Sequence, residues 1–538
     1  MKRINYKIIL SVLFATLLLF SAPSCSDRLE DMNVNPNSPE VVPSNLIFSG
    51  ATRYLMHYTR DGWWSARMTL PWMQYSGQLI YQEEDKYQYR ETQTSNGWYY
   101  LYKSATDFKD IIDLNTDEET KHQMAGYGNS DNQIAVSRIM LAYIFDQLAT
   151  HFGDVPYWSY GNDDPDFQAL QTPEIMTPKF AEQSKIFADL LKELKEAAAQ
   201  LDPSDAVFIA GDNIYNGDAE KWRKFANSLR LRIANRIKGV YPEAQNHISE
   251  AIAAGVFESN DDNAVQAFGT TAAEGSPFWQ TFMVGRRQDF VVGEPFVDLL
   301  KGVTGDFGID PRLPKMVAPV GYSGYEVEAR SYTESSVDEI DLDDYVGMPL
   351  GLPSPAVIND NSSIGLTSFA SYHVIKPDYG EVLMEYAEVA FILSEINGWD
   401  QGYYEEGVKA SMNKWGVESD DIEDYINALP AASEENVITQ KYIAFYMTPQ
   451  EAWNEYRRTG FPDGDILMLP NGRESKDLVH GETYTFTPLI SGNVLATDLP
   501  SRVRYPQEEQ TLNSTHYNEA RSKLSNGDEI DSKLWWAK

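Results

Sequence analysis

The residue whose chemistry is easiest to place is Cys25, the only cysteine in the chain. Lys2, Arg3 and Lys7 are followed by an uncharged run, Ile8 to Phe20, and by the small residues Ser21-Ala22-Pro23-Ser24. A positive start, a short apolar stretch and small residues before a break mark an export segment. The apolar run is 13 residues long, short of the ~20 needed to span a bilayer. A lone cysteine directly after such a segment is an acceptor for lipid, and more than one acyl chain gives stable anchoring at ~0.8 kcal/mol per buried CH₂. The one departure from a lipoprotein pattern is Ala22, where leucine is usual. Residues 1–24 are therefore expected to be removed, with Cys25 carrying the lipid.

The second group with chemistry to offer is aromatic. The chain holds 12 Trp, 32 Tyr and 23 Phe, and two stretches are dense in them. One includes Trp63-Trp64, Trp72, Tyr75, Tyr81, Trp98, Tyr99 and Tyr100; the other includes Phe278-Trp279, Phe282 and Phe290. Aromatic faces stack on sugar C–H surfaces and on apolar side chains, while neighbouring polar and cationic groups fix orientation. Trp279 is followed by Arg286-Arg287 in a stretch without helical period. Phe278, Trp279, Arg286, Arg287, Tyr81 and Trp98 are the expected ligand-contacting residues. Core packing is the competing reading, strongest where aromatics recur at helical spacing, as at Trp72 and Tyr75.

Catalytic signatures are missing. The sequence has no Gly-x-Ser-x-Gly elbow, no phosphate loop, no His-Glu-x-x-His and no Gly-x-Gly-x-x-Gly. The seven histidines are scattered, with no pair at metal-binding helical spacing. The acidic run around Asp338-Glu339 and Asp341 lacks the Gly and Glu placement of a calcium loop. Any two of 80 acids could be chosen as a hydrolytic pair, so sequence alone cannot support one. No cofactor and no metal are expected.

Composition narrows the partners. With 80 Asp+Glu against 44 Lys+Arg the net charge is −36, and such a surface repels phosphate backbones. Nucleic acid is excluded as the expected partner. Hydrophobic residues make up 42% of the chain, enough for a large core, and the length suggests two to four folding units or one large repeat-containing body.

The elements that must position these residues read as helices. Stripes at helical spacing run over 134–152, 180–201, 218–238, 244–254, 382–397, 403–415, 434–445 and 446–458. They fall into four pairs with short connections, suggestive of tetratricopeptide-like units. The segment 218–238 also carries a basic face including Arg230, Arg232, Arg236 and Lys238; in so acidic a chain it should lie against acidic neighbours. Residues 25–43 contain MNVNPNSPEVVP and read as an extended tether. Residues 44–538 form the body, with a Gly-, Pro-, Ser- and Asp-rich insertion at about 258–380, a length that is usually functional.

Seven stretches, in order, resemble one family. They are Cys25-Ser26-Asp27 through Asn35-Pro36-Asn37, AYIFDQLATHFGDVPY (142–157), YNGDAEKWRKFANSLRLRIANR (215–236), EVAFILSEINGW (388–399), QKYIAFYMTPQEAWNEYRRTGFP (440–462), PSRVRYPQE (500–508) and Lys533-Leu534-Trp535-Trp536. The chain resembles the SusD/RagB nutrient-binding outer-membrane lipoproteins, in their divergent SusD-like branch. The resemblance implies a mostly α fold: about four tetratricopeptide-like helix pairs with irregular, ligand-binding segments packed on them. It implies a non-catalytic lid that hands oligosaccharide, or in some members peptide, to a SusC-like TonB-dependent barrel. The acidic residues after Cys25, Asp27, Glu30 and Asp31, resemble the signal that sends Bacteroidetes lipoproteins to the outer face of the outer membrane. These motifs belong to the scaffold and bring no ligand-contacting residue with them. The alternatives are peptide cargo, a surface-attached glycoside hydrolase, and an assembly partner that binds nothing itself.

Overall fold

A computed structural model describes residues 41–352, 365–470, 472–489 and 497–538. Cys25, the export segment 1–24 and all but the end of the tether 25–43 lie outside the described residues.

Six helices form a ladder in which each packs on the next: α1 (Ser44–Thr59), α2 (Glu91–Thr116), α3 (Ser130–Phe152), α4 (Gln183–Gln200), α5 (Ala219–Ile237) and α6 (Ala244–Ala254). A second group follows: α7 (Tyr386–Ile396), α8 (Gln401–Trp415), α9 (Ser419–Ala428), α10 (Glu434–Ala444) and α11 (Pro449–Thr459). Helix α7 packs on α8 and α10, and reaches α5. The four expected pairs are α3/α4, α5/α6, α7/α8 and α10/α11, and they belong to the single unit Ser44–Lys538.

Local chemistry sets the helix limits. Asn129, Asp218, Asp400 and Ser433 each accept a backbone N–H from the first turn of α3, α5, α8 and α10, a cap worth about 1 kcal/mol. Pro449 opens α11, where a missing N–H costs nothing, and Gly416 and Gly460 close α8 and α11 in left-handed conformation. Helix α3 is buried from Asn132 to its end. Apolar side chains on all its faces are what a central helix requires.

Three two-stranded antiparallel ribbons tie the irregular segments down among the described residues. They use β1 (Ser76–Gln78), β2 (Ala264–Gln266), β3 (Phe290–Val292), β4 (Glu381–Met384), β5 (Glu474–Lys476) and β6 (Thr483–Thr485), paired β1–β3, β2–β4 and β5–β6. The pairing Gly77↔Val291 holds the 258–380 insertion against the segment between α1 and α2.

The structure departs from the sequence reading in three places. The stretch 382–397 is not one helix: Val382, Leu383 and Met384 pair with β2 as β4, and the helix begins at Tyr386, whose N–H donates to the side chain of Asn263. Met447 adopts a left-handed φ of 70°, so 446–448 is a turn and α11 starts at Pro449. Helices α1, α2 and α9 were not anticipated. The first half of α2 is rich in Thr, Ser, Asn, Gly and Tyr, residues of modest helix propensity, and tertiary packing against α1 and α3 decides its state.

The basic face of α5 meets acids, as its setting in the sequence requires. Arg236 donates to Asp146 of α3 at 2.6 Å and to Glu451 of α11 at 2.6 Å. Arg232 donates to Glu388 of α7 at 2.6 Å and to the carbonyl of Leu383 at 3.1 Å. All five charged groups are nearly inaccessible. Burial alone would push Glu451 up, but Arg232 and Arg236 outweigh it and hold the carboxyl down to about 2. Truncating one member of such a cluster leaves the others buried and unpaired, at a cost of about 3–5 kcal/mol. Arg236→Met is expected to lower unfolding stability in urea by about that much, whereas replacing Lys192 of the exposed pair Lys192–Glu196 should change it by less than about 1 kcal/mol.

Candidate ligand-binding cleft

A cleft of ≈ 530 Å³ opens at the α1/α2 end of the ladder. Its walls come from three places: His57 and Tyr58 of α1 with Asp61 and Trp63 just beyond it; Thr92, Gln93, Asn96 and Tyr100 of α2; and Pro277, Gln280 and Thr281 of the insertion. Residues 92, 96 and 100 recur every fourth position, so they share one face of α2. Tyr58 stacks on Tyr100 at 4.2 Å between centroids and 25° between planes, and Tyr54 sits 4.5 Å from Tyr58.

Two close approaches fix the walls. A Cβ on Gly97 would lie 2.2 Å from the Trp64 indole, so only glycine lets that ring seat against α2. A Cβ on Gly62 would lie 2.2 Å from Thr281 Cγ2, and the Gly62 N–H donates to Thr281 Oγ1 at 3.1 Å. The turn between them is organised by Asp61, whose Oδ1 accepts the N–H groups of Trp63 and Trp64, both at 2.8 Å. π-helical turns follow on both walls, at Ser65–Thr69 and Gln280–Val284. Such turns occur frequently at functional sites.

The lining is polar and mostly uncharged around the tyrosines. Gln93 is 7% exposed, and its Oε1 is buried with no hydrogen-bond partner among the described residues, an acceptor left unsatisfied inside the wall. Burial raises the Asp61 carboxyl to about 6 against the pull of the two backbone N–H groups. Burial, followed by nearby Arg53, lowers His57. At pH 7 the cleft therefore presents one carboxylate, a neutral imidazole, amides and hydroxyls. Asp61 is the only carboxylate among the lining residues.

The six sequence-predicted contacts separate. Trp98 is a correction: it lies on α2, 8% exposed, packed edge-on against Phe152 at 4.9 Å. Two positions along a helix turn a side chain roughly 200° away, so Tyr100 faces the cleft and Trp98 the core. Phe278 is also a core residue, 5% exposed and stacked on Phe282 at 5.8 Å. It sits in a helical turn, Pro277–Trp279, rather than in a loop. Trp279, in the same turn, is half-buried beside Gly275 and donates from Nε1 to Glu328 at 3.4 Å; the cleft is reached by its neighbours Pro277, Gln280 and Thr281. Tyr81 is exposed at a left-handed φ of 67° and flanks the cleft beyond Trp63. Arg287 joins Asp289 through Nε and Nη2 at 3.2 and 2.9 Å, and Arg286 is exposed. Sequence reasoning missed His57, Tyr58, Asp61, Gln93 and Asn96. The signal for the α2 residues was the four-residue spacing of Thr92, Asn96 and Tyr100, which needed α2 to be recognised first.

A helical ladder carrying an aromatic, amide-lined cleft defines a binding scaffold. Residues 36–480 match the family model described as "Starch-binding associating with outer membrane", and residues 430–537 match "Susd and RagB outer membrane lipoprotein". The chain belongs to the SusD-like family. Solved structures share the fold. A SusD-like protein of Bacteroidetes AC2a is 22% identical, with TM-score 0.69, covering 93% of this chain and 100% of that one. A chitin-binding protein is 24% identical, with TM-score 0.68 and coverage of 91% and 100%. A SusD homologue from Bacteroides thetaiotaomicron is 21% identical, with TM-score 0.68 and coverage of 92% and 99%. No curated protein matches the chain. Among the described residues no helix is long and apolar enough to cross a membrane.

Asp61→Asn keeps an oxygen for the two backbone N–H groups and removes the ionisation. Because the folded carboxyl titrates near 6 instead of 3.8, the native state binds the extra proton and wild-type stability falls as pH rises between those values. The stability of Asp61→Asn relative to wild type should therefore increase from pH 4 to pH 7 in denaturant titrations; a pH-independent difference would contradict the burial of this group.

Proposed function

We propose that this protein binds oligosaccharide at the cell surface without chemically altering it, and delivers it as a lid to a SusC-like TonB-dependent barrel. The observation that carries the reading is the cleft itself: exposed Trp63 and the stacked Tyr58–Tyr100 pair beside the amide residues Gln93, Asn96 and Gln280. Flat rings suit the C–H faces of sugars, and amides and one carboxylate suit their hydroxyls. The family descriptions, one starch-binding and one outer-membrane lipoprotein, support the same reading, as does the chitin-binding protein of the same fold.

Hydrolysis is disfavoured on chemical grounds. Glycosidases set two carboxyl groups roughly 5–10 Å apart across the scissile bond, and Asp61 has no carboxylate companion in the cleft lining. The anchor completes the proposal: lipid on Cys25 holds the protein at the outer face of the outer membrane. Mass spectrometry of the mature N-terminus tests the anchor, and an unmodified Cys25 would remove it.

Calorimetry against a panel of neutral oligosaccharides tests the cleft. Tyr100→Ala should weaken the binding of any ligand found by about 1–3 kcal/mol, roughly 5- to 150-fold, while Tyr99→Ala, on the exposed flank of α2, should leave it within about twofold. Equal affinities for wild type and Tyr100→Ala would place the ligand elsewhere.

A further inference from the structure

Beyond Trp63 the cleft wall continues as a ledge of two exposed rings and several guanidinium groups. Trp63 and Tyr81 are 49% and 53% exposed. The Arg67 guanidinium lies over both, 4.4 Å from the Trp63 ring and 5.6 Å from that of Tyr81. Arg287 lies between the same two rings, at 5.9 and 5.6 Å. Its backbone N–H donates to the carbonyl of Thr281, a cleft residue, at 3.2 Å. The ledge is thus continuous with the cleft.

Arginine side chains gather at this ledge. The carboxylates within ion-pair reach of Arg67 and Arg287 are Glu84 and Asp289, and Glu84 is shared with Arg90. Arg287 spends Nε and Nη2 on Asp289, and its Nη1 has no hydrogen-bond partner among the described residues. The adjacent Arg286 is exposed, makes no ion pair among the described residues, and is held in left-handed conformation at φ 55°. Arg67, Arg90 and Arg287 thus share Glu84 and Asp289, with the exposed Arg286 next in sequence, in a chain of net charge −36. A non-glycine residue in that conformation costs free energy, and here it carries an exposed cation beside Arg287 in the chain.

We propose that the ledge formed by Arg286, Arg287, Trp63 and Tyr81 recognises an acidic substituent, carboxylate or sulfate, on an otherwise neutral oligosaccharide lying in the cleft. The inference rests on the cleft being the sugar site and specifies its class of ligand. Guanidinium groups bind such oxyanions through paired N–H donors, and the rings beside them stack the sugar that bears the charge. The acidic surface beyond the ledge disfavours a continuous polyanion. Isolated charges fit, because at physiological salt the surrounding field fades within about 8 Å.

The test uses matched pairs: a xylo-oligosaccharide with and without one glucuronate branch, and an agaro-oligosaccharide with and without one sulfate. Binding is measured for wild type, Arg286→Gln, Arg286→Gln/Arg287→Gln and Trp63→Ala at 50 and 500 mM salt. For at least one backbone the acidic member should bind wild type tenfold or more tightly than its neutral partner. That advantage should shrink at high salt, fall about threefold in Arg286→Gln, whose exposed side chain supports nothing in the fold, and vanish in the double variant. Affinity for the neutral member should survive both arginine variants and be lost in Trp63→Ala. The pair that responds separates carboxylate from sulfate recognition. Equal binding of acidic and neutral members, an acidic advantage that persists in the double variant, binding only of a peptide bearing a free C-terminal carboxylate, or no binding by any pair would overturn the proposal. If Trp63→Ala leaves sugar binding intact, the cleft assignment itself fails; if only the arginine variants are silent, the ledge fails and the cleft stands.

Discussion

The structure depends on a cluster of charges that has no access to water. Arg232 and Arg236 of α5 join Asp146 of α3, Glu388 of α7 and Glu451 of α11, so one helix clamps the ladder to the second helical group. Geometry of this kind is demanding, because each charge has lost its hydration and must be repaid by its neighbours. The hold extends toward the cleft. Arg60, the residue before Asp61, donates to the carbonyl of Val382 at 3.2 Å and to the Tyr143 hydroxyl at 3.4 Å. Its carboxyl neighbour Glu381 is raised to about 8 by burial, and it stands off, with Oε2 3.9 Å from Arg60 Nε. The backbone carbonyl and the phenol therefore carry this contact more than an ion pair does.

That anchoring explains why the cleft can be built from irregular chain. Asp61 follows immediately after Arg60 and fixes Trp63 and Trp64 through its Oδ1; Gly97 and Gly62 then let Trp64 and Thr281 approach to distances no other residue permits. The opposite wall is held by the β1–β3 ribbon. Walls pinned by these contacts keep the tyrosine faces in place before any ligand arrives, which reduces the ordering cost of binding.

Much of the fold was legible in the sequence, and the reason is periodicity. The stripes of α3, α4, α5 and α6 are long enough to show a helical repeat, and the basic face of α5 in an acidic chain pointed to buried acids. Where β4 meets α7, a continuous apolar run conceals the change of period, and pairing with β2 decides it. The cleft was less legible. Trp63, Tyr81, Tyr99 and Tyr100 stood out as an aromatic cluster, but α2 was not recognised, so Trp98 and Tyr100 could not be assigned to opposite faces. Phe278 and Trp279 lie beside the residues that line the cleft, and a helical turn directs Phe278 into the core. Asp61 and Gln93 left no signal, since their roles come from burial and from a backbone turn that only the folded chain creates.

The central claim is that the cleft between α1, α2 and the 277–281 turn is where ligand sits. A second hollow of ≈ 280 Å³, lined by Tyr505, Lys523 and Trp535 among others, supplies an internal comparison. Hydrogen–deuterium exchange on the full chain, with and without a saturating bound oligosaccharide, tests the claim most directly. Protection confined to residues 57–64, 92–100 and 277–281 is the predicted result; protection around 505–535 with those three segments unchanged would contradict it.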